Sequence, residues 1–174
     1  MLIDEKGLAR LLKREYKHGG YKVIQQDNTT IIGAAGMAVV MTAVPRAILG
    51  LLVEHSGTIP RDCAIQVAYG MDNQVMLTGA ALGVPTNIED GDGPAARTPL
   101  TWDGRRLYQC KDGGVVMVSE AALSLLESEL REPIVSQQGG VAAWYGDEEE
   151  LFVPITTVQE NVHLAALAGH RWTF

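Results

Sequence analysis

The densest run of reactive side chains in this chain is Asp147-Glu148-Glu149-Glu150, four consecutive carboxylates preceded by Glu127, Glu129 and Glu132. Residues 119 to 160 hold nine acids against Arg131 as the one base. Carboxylates packed this closely repel one another and lower stability. The run therefore serves either solubility or recognition, as a negative field that draws in a basic groove normally occupied by nucleic acid. Trp144, Tyr145, Phe152, Trp172 and Phe174 lie near it in sequence. Aromatics rimmed by charge are frequent interface anchors, although Trp144 and Phe152 suit a core equally well. The expected partner-binding residues are Glu127, Glu129, Asp147, Glu148, Glu149, Glu150 and Trp172.

Other residue groups fall short of known chemical templates. Glu89-Asp90-Gly91-Asp92-Gly93 alternates acids with glycine, but the bidentate glutamate that completes a calcium loop is missing. It reads as a solvated linker. His18, His55, His163 and His170 form no metal-binding pair. His18 and His55 fall at expected helix C-termini, where a partly charged imidazole meets the negative end of the dipole. No serine sits in a nucleophile elbow, and Gly33-Ala34-Ala35-Gly36 lacks the lysine of a phosphate-binding loop. Cys63 and Cys110 are isolated and read as small buried hydrophobes. The expectation is a protein without catalytic residues, cofactor or metal, leaning away from an enzyme.

The elements that must position these residues follow from periodicity. Asp4 caps a predicted helix to Lys17, with Leu8, Leu11, Leu12 and Tyr16 on one face and Lys13, Arg14 and Lys17 toward its end. Strands are predicted at 21–26, 30–34 and 37–42, with turns at Asp27-Asn28 and Ala35-Gly36. Pro45 opens a helix to His55 that is apolar around most of its circumference, so it should be buried, with Gly50 kept for a close approach. A hairpin over 64–78 follows. Asp103-Gly104 joins strands 100–102 and 105–110, then comes a strand at 115–118. Ser119 caps a predicted helix to Leu130, and a last hairpin spans 141–155 before a final helix over 157–168.

Two stretches also resemble each other at an offset of 76 positions: Val39 falls on Val115, Met41 on Met117, and Tyr69-Gly70 on Tyr145-Gly146. The expected fold is therefore α+β, with two pseudo-repeated β-rich lobes, each an antiparallel sheet with one packed helix, and helices at both termini. The first lobe is expected over 1–82, an acidic Gly/Pro linker over 83–98, and the second lobe over 99–174. The apolar strands across Thr30 to Thr42 suggest a homodimer through an exposed edge.

The 174 residues suffice for a substantial core, and 47% hydrophobic with 20% charged residues fits a folded protein. The first 17 residues lack the apolar run of a secretory signal, so a cytoplasmic location is expected. A net charge of −7 disfavours general nucleic-acid binding. The first helix is the exception, since residues 1 to 22 carry six bases against three acids. The pattern Tyr16-Lys17-His18-Gly19-Gly20-Tyr21, followed by strands and Pro45 to Pro60, resembles small proteins encoded by phages and prophages of gut Firmicutes. That resemblance implies a non-enzymatic cytosolic binding protein of the host-defence inhibitor kind, with the CRISPR nuclease Cas9 as the implied partner. A small-ligand protein or enzyme with a site between the lobes, and a structural phage component, are the alternatives.

Overall fold

The computed structural model describes residues 1–26, 28–59, 64–68, 70, 75–78, 86, 88, 93–128 and 131–158. Helix α1 (Glu5–His18) starts where the Asp4 carboxylate accepts hydrogen bonds from the Lys6 and Gly7 amides. It buries Leu8, Leu11 and Leu12 and ends at Gly19. Strands β1 (Tyr21–Gln26), β2 (Thr29–Ala34) and β3 (Met37–Met41) form an antiparallel meander. Ala35 (φ 50°) and Gly36 (φ 77°) turn the second hairpin, both left-handed as a two-residue I′ turn requires. Helix α2 (Arg46–Ser56) follows, then β4 (Ala64–Ala68) and β5 (Val75–Thr78).

The second half opens on β6 (Gly93–Trp102), β7 (Arg105–Cys110) and β8 (Val115–Ser119). The β6–β7 turn is Asp103 (φ 48°) and Gly104 (φ 68°), as its sequence predicts. A register shift in β6 between Arg97 and Thr101 is held by the Thr98 hydroxyl, which donates to the Leu107 carbonyl and accepts from the Leu100 amide. A short helix α3 (Glu120–Leu123) leads to β9 (Ile134–Ser136), β10 (Val141–Tyr145), β11 (Glu149–Pro154) and β12 (Thr156–Thr157).

All pairings are antiparallel, in the order β12-β8-β7-β6-β9-β10-β11-β3-β2-β1-β4-β5. Ile155 alone separates β11 from β12, yet these strands lie far apart in that order. The second half therefore curls until its pairings close into a ring through β8 and β12. Within the first half the order is β3-β2-β1-β4-β5, and within the second β8-β7-β6-β9-β10-β11.

The fold is thus α+β, but several expected boundaries move. Gly93 to Thr98, expected as linker, belong to β6, because Gly93-Pro94 pair with β9 and the following residues with β7. One core cluster joins Leu8 and Leu12, Val39, Leu52, Val118 and Trp144, so residues of both halves share a single interior. The helix expected from Ser119 to Leu130 stops at Leu123. Residues 2–4 pair instead with 125–127, through Asp4 N to Leu125 O (2.7 Å) and Glu127 N to Leu2 O (2.9 Å). This pairing takes the backbone groups that a longer helix would use. Helix α2 is not enclosed, since Leu49 (41% exposed) and Val53 (46%) face solvent. A Cβ on Gly50 would meet nothing within 4 Å, so close packing does not explain that glycine. The outer edge of β3 is taken by β11, with Leu151 opposite Val39, and offers no apolar edge to a second copy. Thr156-Thr157 is strand where a helix was expected to open. The rest of that expected helix, the linker residues 83–85, 87 and 89–92, and Cys63 lie outside the described residues.

Candidate functional site

The acidic run divides on folding. Backbone alternation sends adjacent residues of a strand to opposite faces, and β11 begins at Glu149. That side chain is 5% exposed, and its Oε2 accepts the amides of Leu2 (2.6 Å) and Ile3 (3.0 Å). Glu149 is a structural anchor for the segment that launches α1, and it is unavailable to a partner. Glu150 points the other way, opposite Tyr145, and is half-buried. Burial raises the Glu150 carboxyl above its ordinary range, and burial followed by the Glu150 charge raises the Tyr145 phenol. Asp147 and Glu148 remain exposed in the turn, and Glu127 is exposed with its carboxylate 3.9 Å from the Met1 amine. Glu129 and Trp172 lie outside the described residues.

A different set of residues converges where α1 crosses the second half. Arg10 and Arg14 stand one turn apart on α1. Arg105 opens β7 and lies opposite Ser119, the last residue of β8. These four, with Ser124 and Thr156, surround a cavity of about 580 Å³. Its apolar wall includes Leu11, Met37, Met117, Leu125 and Val153, and Ala35 of the left-handed turn forms part of its lip. A volume of this order suits a small organic ligand. Gly7 leaves room for the capping carboxylate of α1, because a Cβ there would fall 2.9 Å from Asp4 Oδ2.

The three guanidiniums differ in how firmly they are engaged. Arg14 Nη2 lies 2.9 Å from Glu15 Oε1 and Arg10 Nη2 lies 3.8 Å from Asp4 Oδ2, both on the surface. Exposed pairs of this kind contribute only about 0.5 kcal/mol and yield readily to a competing anion. Arg105 Nη1 donates to the neutral Thr156 hydroxyl at 3.0 Å. Its neighbour Arg106 is already matched, donating through Nε to Glu120 Oε1 at 3.0 Å with Nη2 2.7 Å from the same oxygen. Strand alternation thus gives one arginine to a carboxylate and the other to the cavity. Ser119 holds the N-cap position of α3 but makes no side-chain cap bond.

Guanidinium forks match the oxygens of phosphate and carboxylate, so three of them at one cavity have the chemistry to pair with an anion. The described lining residues include no carboxylate or imidazole to act as a general base. Among the described residues there is no group of three or more His, Cys, Asp or Glu side chains placed to hold a metal. The sequence shows Arg10 and Arg14 as part of a basic helix. Arg105 looks there like any strand-edge residue, and only the closing of β8 onto β12 brings the three together.

A second polar cluster is structural. His55 stacks on Tyr16 with centroids 3.8 Å apart and planes 2° from parallel, and it shares a 3.1 Å hydrogen bond with the Tyr21 hydroxyl. Burial lowers the His55 imidazole below its ordinary value and raises the Tyr21 phenol. This cluster joins α1 to α2, with His55 itself at the C-terminal turn of α2. Compared with known proteins, the chain matches no family model and is similar to no curated protein.

Proposed function

We propose that the chain is a binding protein whose cavity between α1 and the curled second half holds a small molecule bearing phosphate. The observation that carries this is the convergence of Arg10, Arg14 and Arg105, with Ser119 and Thr156, on one 580 Å³ cavity. A single carboxylate would leave two of the three forks unmatched, whereas a diphosphate has charge and oxygens for all of them. Calorimetric titration with inorganic pyrophosphate at low salt should give saturable one-to-one binding. Added salt should weaken it, and Arg105→Ala should weaken it about tenfold, the loss of one charge-assisted contact. Absence of binding, or affinity unchanged in Arg105→Ala, contradicts the reading.

A second reading keeps a protein partner. Leu2 bonds to both Glu127 and Glu149, and this brings Glu127 to the edge that carries Asp147 and Glu148, beside exposed Tyr145. An accessory protein of a phage or prophage, working in the host cytoplasm, would offer this acidic edge to a basic groove of a defence nuclease such as Cas9. Reversal of Asp147 and Glu148 to lysine should then slow association with purified Cas9, most strongly at low salt. Equal association rates would remove it.

The matching strand orders support descent of both halves from one duplicated β-β-β-α-β-β unit, with β9 inserted in the second. The cavity then lies where the N-terminal helix meets the second copy.

A further inference from the structure

Trp102 is the most exposed large aromatic among the described residues, at 53%. It ends β6 directly opposite Arg105 across the Asp103-Gly104 turn. Directly opposed residues of an antiparallel pair carry their side chains on the same face, about 5 Å apart at Cβ. Arg105 in turn lies opposite Ser119, so Trp102, Arg105 and Ser119 form one row across three strands. The far end of that row lines the arginine cavity, and its near end presents an indole to solvent. The opposite face of these strands supplies Tyr108, Val116 and Val118 to the main core, while this face buries Leu107 and Val115 in a smaller cluster and leaves Trp102 and Arg105 exposed at its turn end.

On this basis we infer that the ligand is a nucleoside phosphate, its phosphates among Arg10, Arg14 and Arg105 and its base stacked on Trp102. The inference rests on the phosphate reading of the cavity and adds the base. An aromatic face beside guanidiniums is one recurring way to hold a nucleotide, because every base has a π-face and fork donors match phosphate oxygens. Stacking of this kind does not select among bases. The occupant is a mononucleotide and not a polynucleotide. The net charge of −7 repels a long polyanion, and the three arginines line one cavity of a size that suits a small molecule.

The experiment compares ADP with inorganic pyrophosphate, which carries the diphosphate without a base, on the full chain. ADP should bind about tenfold tighter than pyrophosphate, the usual scale of one base stacked on an aromatic ring. Trp102→Ala should bring ADP down to the affinity of pyrophosphate and leave pyrophosphate itself unchanged, while Trp102→Phe should keep most of the preference. Equal affinities for the two probes in the wild type, or an ADP preference that survives Trp102→Ala, would overturn the inference and leave the phosphate reading standing. If neither probe binds, both fall. A single-stranded thymidine oligonucleotide that displaces ADP at lower concentration would overturn the mononucleotide assignment.

Discussion

The two ends of α1 are held in opposite ways. Its C-terminal end packs tightly on the first half, with Tyr16 stacked on His55 and Tyr21 bonded to the same ring. Its N-terminal end is tied to the second half by backbone bonds of Leu2 and Asp4 to Glu127 and Leu125, and by the Glu149 carboxylate. Between these fixed points the helix spans an open cavity lined by arginines. A helix clamped at both ends can afford polar, unfilled space along its middle, since positioning there needs no local packing. The fold thus separates the residues that hold α1 from those that can bind.

That separation can be broken from either side. Leu12→Ala, at a fully buried core position of α1, should cost about 3 kcal/mol, seen as a lower denaturant midpoint. Glu149→Ala leaves two buried amides unpaired and should cost about 2 kcal/mol by the same measurement, with loss of pyrophosphate binding as the helix start loosens. Arg10→Ala and Arg14→Ala, on the exposed face, should change stability by less than about 0.5 kcal/mol while weakening pyrophosphate binding several-fold. If these two substitutions unfolded the chain, anchoring and binding would not be distinct.

The pH dependence sharpens the packed end. Burial holds the His55 imidazole low, Glu54 opposes the shift and Lys13 adds to it. The folded state therefore takes up this proton later than the unfolded chain does. Stability should be full above the ordinary histidine value of about 6.5 and fall as pH drops through it, levelling once folded His55 protonates. Denaturant midpoints between pH 7.5 and 5.5 should show that slope, and His55→Gln should flatten it. Glu150 acts in the opposite sense at lower pH, because its raised value favours the folded state below about 4.5. A stabilising effect is expected at the cavity lip. Ala35→Gly relieves a left-handed alanine and should add about 1 kcal/mol of stability, seen as a higher denaturant midpoint.

Local signals carry much of this architecture. Asp4, the Leu8-Leu11-Leu12 face and Gly19 specify α1, and the Asp103-Gly104 pair specifies its hairpin. Long-range pairing was not legible. The helix forecast to Leu130 followed a sound leucine period, but bonding of residues 2–4 to 125–127 overrides it. Glu149 reads as surface charge in a run of four acids, and its burial depends on amides at the other end of the chain. Arg105 gains meaning only when β12 folds back on β8. Dense charge in sequence was dispersed by strand alternation, while sparse charge was gathered by topology.

Backbone amide NMR during a pyrophosphate titration tests the cavity most directly. Shifts should centre on Ala35, Ser119, Ser124 and Thr156, residues of four separate chain segments or turns that line one cavity. A response confined to the turn at Asp147-Glu148, or none at the cavity, would contradict the phosphate reading.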